Sequence, residues 1–359
     1  MNLKEEYNKH FIKDLAGQIA EHYPSFKKEE FINSIINENW ESKELKERMR
    51  HVTITIAQFL PISYQKQIET LNNIVANFRG LTGMIFPDFV EVYGMDDFKT
   101  SIQALEDYTQ YFSSEFAIRP FSQKYPDKTI EQLIKWSKHS NHHVRRLASE
   151  GSRPKLPWSF PLRMFINDPS PVLPILENLK DDESEYVRKS VANHLNDISK
   201  SQPDLALKLG KKWYGKSNNL NRVVKHGLRT LLKKGDKKAL AIFNLDDSTN
   251  INIDKVELVK KEFKIGEDLY FEFEVNNNST SNRSIRLEYK IDYVKSNGST
   301  SPKVFQISEF ELEKKQVKKV KRKQSFKNFS TRKHYPGKHR VTIIANGDEK
   351  CNTTFLVNN

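Results

Sequence analysis

The sequence has little with which to build a covalent framework or a membrane anchor. Its 359 residues include one cysteine, Cys351, which excludes a disulfide framework and a cysteine-based zinc or iron–sulfur site. A lone thiol fits a reducing compartment. No uninterrupted apolar run approaches the ~18 residues needed to span a bilayer, and the mean hydropathy is −0.70. The opening residues, MNLKEEYNKHF, carry charge where a signal peptide is apolar. A cytoplasmic protein without a membrane partner is expected. Acids are the scarcer sign: 46 Asp and Glu stand against 59 Lys and Arg, for a net charge of +13. That balance favours a polyanionic partner. The length allows two or three domains of about 100–200 residues each.

Residues 1–247 read as helical, with apolar positions recurring at three and four in Leu45–Leu60 and Ile102–Phe116. The cluster NLDDSTNIN at 244–252 marks a change of character. From 254 to 359 the period is two. LYFEFEV (269–275), SIRLEYKIDY (284–293), the stretch 304–312 and RVTIIA (340–345) are separated by polar turn clusters. This predicts a small immunoglobulin-like β-sandwich, although the Cys…Trp…Cys signature of antibody domains is absent.

A weak repeat runs through the helical part. Val144-Arg145-Arg146-Leu147-Ala148 is echoed by Val187-Arg188-Lys189-Ser190-Val191 and by Val224-Lys225-His226-Gly227-Leu228, at offsets of 43 and 37 residues. Each copy follows a polar break and an earlier helical run: 130–138, 171–179 and 205–213. The period is that of HEAT-type helix pairs, which stack into a solenoid. All three copies place cations at the start of the second helix. Cations are also concentrated in two runs. Residues 200–240 hold 12 Lys/Arg against Asp204 and Asp236, and residues 314–340 hold 12 with no acid, interleaved with Phe326, Phe329 and Tyr335. Such runs suit a phosphate backbone, although a basic edge strand also serves against aggregation.

The densest segment is SNHHVRRLASEGSRPKLPWSFP at 140–161. Ser140 or Asn141 can cap a helix that Gly151 stops. Three prolines then stiffen a loop carrying Arg153, Lys155, Trp158 and Phe160. Glu150 falls at the C-terminal end of that helix, where the macrodipole disfavours an anion. Asp197, in NHLND, falls late in the equivalent helix of the next repeat. Glu150 lies six residues beyond its repeat valine and Asp197 ten. The difference of four is about one turn, so both can lie on one face of neighbouring helices. Unrelated surface acids satisfy the same spacing. His139, His142 and His143 lack the partners of a zinc site, so no metal is expected.

HHVRRLASEGSRPKLPW, followed by RKSVANHLNDISK and VVKHGLRTLLKKGD, resembles the AlkC branch of bacterial alkylpurine DNA glycosylases, HEAT-like-repeat enzymes related to the AlkD family. The likeness is strongest over 130–245, and some members carry an immunoglobulin-like domain that helps hold DNA. The resemblance implies a monofunctional glycosylase of base excision repair, acting without cofactor on N3-methylated bases such as 3-methyladenine and 3-methylcytosine. It implies a catalytic acid pair, carried over to Glu150 and Asp197, with Trp158 and Arg153 flanking the lesion. It also implies capture of the lesion without deep base flipping. Phosphate contacts are expected from Arg145, Arg146, Lys155, Arg188, Lys189, Arg222, Lys225 and Arg229 in the helical part, and from Lys323, Lys327, Arg332 and Lys333 in the sandwich. The expected partner is double-stranded DNA containing alkylated bases, bound by a monomer. Two other readings keep parts of this pattern: a non-catalytic repeat protein that binds bent or damaged DNA, and a HEAT scaffold for protein partners.

Overall fold

The structure, a computed structural model, describes residues 3–61, 63–329 and 332–359. Among these, sixteen α-helices precede nine strands. The first six are α1 (Lys9–His22), α2 (Lys28–Ile35), α3 (Leu45–Phe59), α4 (Tyr64–Asn72), α5 (Ile85–Tyr93) and α6 (Phe98–Tyr108). Next come α7 (Ile118–Lys124), α8 (Pro126–Trp136), α9 (His142–Gly151), α10 (Arg163–Asn167), α11 (Leu173–Leu179) and α12 (Glu185–Ser201). The last four are α13 (Pro203–Trp213), α14 (Asn218–Gly227), α15 (Arg229–Lys233) and α16 (Lys237–Ala241).

The repeat is real. Helices α8 and α9 pair, α11 and α12 pair, and α12 packs between α9 and α14. The repeat valines Val144, Val187 and Val224 are fully buried, which is why the copies share phase. Asn141 is the N-cap of α9, its side chain accepting from the His143 N–H at 2.8 Å. Gly151 does not stop α9 by a left-handed turn. Close packing requires it: a Cβ there would sit 2.5 Å from Ile118 Cγ2. Helix α6 ends at Tyr108 rather than continuing to Phe116, because the Ser114 hydroxyl donates to the Leu105 carbonyl at 2.9 Å and closes the helix end.

The strands form two sheets. One contains β1 (Ile251–Asn252), β2 (Val256–Leu258), β4 (Asp268–Asn277) and β7 (Val317–Ser325), with β4 pairing the other three antiparallel. The second runs in the order β3 (Glu262–Lys264), β9 (Asp348–Asn358), β8 (Gly337–Ala345), β5 (Arg283–Val294) and β6 (Thr300–Leu312), with β3 and β9 parallel. Alternate residues of β4, Leu269, Phe271, Phe273 and Val275, meet Ile285, Leu287 and Ile291 of β5 in one apolar core. The fold is thus a helical-repeat region followed by an immunoglobulin-like sandwich.

The compact units divide differently from the expected boundary near 247. One comprises residues 1–202 and 215–227; the other comprises 203–214 and 228–359. The sandwich unit therefore includes helices. Helix α16 is held by the Lys237 ammonium on Asp348 at 2.8 Å. Gly347, at φ +82°, brings its backbone against Leu240, and a Cβ there would clash.

Candidate active site

The two acids meet. Arg153, leaving α9 at the head of the proline loop, donates from Nη1 to Glu150 Oε1 at 2.6 Å and from Nε to Asp197 Oδ2 at 2.9 Å. The remaining oxygens are also engaged. Glu150 Oε2 accepts from the Ser190 hydroxyl at 2.6 Å, and Asp197 Oδ1 accepts from the Lys200 ammonium at 3.0 Å. Glu150, Arg153 and Asp197 are all buried, Asp197 to 1% exposure. Helices α9 and α12 supply the carboxylates one turn apart in phase, which brings them onto a single guanidinium. Burial works against the charge on Arg153, but Glu150 and Asp197 more than offset it and hold its pKa above the ordinary arginine value.

A third acid belongs to this cluster. Glu115, in the turn that Ser114 creates after α6, accepts from Arg146 Nη1 at 2.5 Å, and Arg146 Nη2 lies 3.7 Å from Glu150 Oε1. The Tyr186 ring packs over the Arg146 guanidinium with 4.5 Å to its centroid. Three carboxylates thus alternate with two arginines. No repeat signal pointed to Glu115. Ser190 did leave one: it is polar where the first copy of the repeat has Leu147.

The proline loop is pinned from beneath. Arg119, fully buried on α7, donates to the carbonyls of Gly151 at 3.1 Å, Arg153 at 2.7 Å and Phe160 at 2.6 Å. Burial, with the Arg153 charge nearby, lowers its pKa to about 10. Trp158 rides outward on this loop, 65% exposed and with φ +66°. It lines a cavity of about 840 Å³ with Phe112, Phe116, Phe160, Arg50 and Asp88.

Several expected phosphate ligands are already in use. Arg145 is a structural clip: it forms a bidentate pair with Asp182 (2.6 and 3.0 Å) in the polar break before the next repeat helix, with Glu183 at 3.0 Å. Arg188 donates to the carbonyls of Asp182 and Glu183. Arg146 and Arg153 are both engaged by the acid cluster. Lys323 pairs with Asp268 at 3.2 Å on the edge strand β7, next to Lys319 and Lys321 on Glu272. This cross-strand ladder pairs Lys319, Lys321 and Lys323 with two carboxylates and makes β7 a protected edge. Arg332 is half-buried with its guanidinium over Tyr293 at 5.2 Å. Lys155, Lys189, Arg222, Lys225, Lys327 and Lys333 are exposed, while Arg229 opens α15 half-buried. Among the described residues, no group of three or more His, Cys, Asp or Glu is placed to hold a metal, and no helix is long and apolar enough to cross a membrane.

The solved structure of the Pseudomonas fluorescens alkylpurine DNA glycosylase AlkC, bound to DNA containing an abasic site analog, superposes with a TM-score of 0.97 at 34% identity, covering 100% of both chains. This chain belongs to the AlkC family of DNA alkylation repair glycosylases. The family described as DNA alkylation repair enzyme matches residues 96–218, and the C-terminal Ig-like domain of the YhaZ family matches 252–359. The uncharacterized protein YhaZ of Bacillus subtilis (strain 168) is 47% identical over 356 residues, 99% of each chain. The acid cluster, from Glu115 to Lys200, lies entirely within the segment that matches the repair-enzyme family.

Beside the acid cluster of this AlkC-family chain, His194 is fully buried. Its Nδ1 donates to the Ser149 carbonyl at 3.0 Å and its Nε2 has no partner. Burial lowers its pKa from 6.5 to about 4. The unfolded chain takes up this proton below 6.5 and the folded chain does not until about 4. Stability is therefore intact above pH 6.5 and lost as pH falls towards 4, by about 3 kcal/mol in all. Urea unfolding at pH 7 and pH 4.5 should show this loss, and His194→Gln should flatten it. An unchanged slope in the variant would assign the acid sensitivity to other groups.

Proposed function

We propose that this protein hydrolyses the N-glycosidic bond of cationic N3-methylated bases, 3-methyladenine and 3-methylcytosine, in double-stranded DNA. The observation that carries the reading is the convergence of Glu150 and Asp197, from consecutive repeats, on one guanidinium in an AlkC-family chain. Methylation at N3 makes the base a cation that departs neutral, so the leaving group needs no further activation. Positive charge then develops on the deoxyribose. Carboxylates held rigidly beside that sugar stabilise it without reorganising, and a carboxylate lone pair not used by Arg153, Ser190 or Lys200 can orient the attacking water. Arg153 serves as the internal counter-cation that holds both acids in place. Glu115 fixes Arg146, whose guanidinium also faces Glu150, on the same wall.

Trp158 is assigned to the lesion-flanking position because it is a large ring presented to solvent at the head of a pinned loop. Exposed Lys155, Lys189, Arg222 and Lys225 are assigned to phosphates, as are Lys327 and Lys333 of the sandwich. The reaction is assigned as hydrolytic rather than lyase-like: Lys200, the lysine bonded to the acid pair, has its side-chain nitrogen engaged by Asp197 at 3.0 Å. Incubation with N3-methylated duplex should release free methylated base and leave strands that break only on alkali treatment. Borohydride-trapped protein–DNA adducts would overturn the hydrolytic assignment, and failure to release either base would overturn the substrate assignment.

A further inference from the structure

Trp158 occupies a backbone conformation that a bulky residue rarely adopts, φ +66°, with its ring exposed. Such a pose persists where its surroundings impose it. Arg119 holds the carbonyls on either side of it, and a second contact comes from far away in sequence. Lys46, on α3, donates from Nζ to the Trp158 carbonyl oxygen at 2.6 Å. The same ammonium lies 5.1 Å from the centroid of Phe116 and 5.8 Å from that of Trp158 itself, within cation–π range of both. Its charge also faces the carboxylates of Asp88 and Glu91. One ammonium thus ties the N-terminal helices to both the backbone and the ring of the exposed tryptophan, at the wall of the 840 Å³ cavity that Lys46 and Trp158 line together.

We propose that Lys46 is a positioning residue that holds the Trp158 indole in the orientation in which it meets the damaged strand. This rests on the lesion-flanking role given to Trp158 above. It gives the first helices a part in the site: they supply the clamp, and the repeat helices supply the acids. The carbonyl bond fixes the peptide, and the two ring contacts fix the direction of the indole, so a neutral side chain of similar length cannot replace the ammonium. Arginine can, in part, because it retains both a donor and a charge.

The protein carries its own reporter. Of its four tryptophans, Trp40, Trp136 and Trp213 are 3%, 1% and 0% exposed, against 65% for Trp158. Acrylamide quenching of the intact protein therefore reads Trp158 almost alone. Lys46→Met should change the quenching constant and slow single-turnover excision on saturating methylated duplex by about tenfold to a hundredfold, the scale of a small misplacement. Lys46→Arg should recover part of both. Trp158→Ala should slow excision as well, and adding Lys46→Met to Trp158→Ala should cost nothing more, since contacting residues are not additive. Unchanged quenching in Lys46→Met overturns the proposal, and so does a full second loss in the double variant, which would mean that Lys46 acts on DNA independently. Wild-type rates in Trp158→Ala combined with altered quenching in Lys46→Met would overturn the lesion-flanking role of Trp158, while leaving the clamp itself established.

Discussion

Glu150→Gln is expected to slow base release by about two to three orders of magnitude under single-turnover conditions, the usual cost of removing one preorganised electrostatic stabiliser. The substitution retains shape. The amide oxygen can still accept from Arg153, the amide N–H can donate to the Ser190 hydroxyl, and Arg153 remains fixed by Asp197 at 2.9 Å. Asp197→Asn should produce a loss of the same size. It carries an additional structural cost, because Asp197 is 1% exposed and anchors both Arg153 and Lys200. Affinity for methylated duplex should change little in either variant, since removing an anion weakens no phosphate contact. The measurement is the rate of free-base release at saturating enzyme. Wild-type rates in both variants would remove these acids from the chemistry and shift attention to Glu115.

Arg153→Met should destabilise the fold by about 3–5 kcal/mol at neutral pH, because it leaves Glu150 and Asp197 buried without their shared counter-charge. Urea unfolding at pH 7 reads this loss. An alternative role makes the opposite prediction: if Arg153 contacted phosphate, its loss would leave stability intact and lower the log–log salt slope of DNA binding by about 0.9. Stability loss without a slope change is expected.

That Glu150 and Asp197 can share a face was legible before the fold because helical phase is a local property, although unrelated surface acids satisfy the same spacing. Glu150 and Asp197 differ by one turn relative to buried valines, and stacking the repeats places that phase on neighbouring helices. The roles of the basic residues were not legible. Arg145, Arg146 and Arg153 look alike in sequence, yet each ends on a carboxylate supplied from a different stretch of chain: Asp182, Glu115 and Asp197. Whether a cation faces solvent or an acid depends on what packs opposite it. The same holds for the lysine run on β7, whose partners Asp268 and Glu272 arrive through strand register.

Sequence alone determined the two-part architecture, the HEAT-type period, the strand-rich C-terminal region and the position of the proline-rich loop. Each is written in spacing, turn residues and apolar phase over short distances. Tertiary structure alone decided that Ser114 ends α6 early and swings Glu115 into the site, that Ser190 steadies Glu150, and that helices α13, α15 and α16 belong with the sandwich unit. It alone linked Lys46 to Trp158, 112 residues apart. These are contacts between side chains distant in sequence, and no local pattern encodes them because each depends on how separate elements pack.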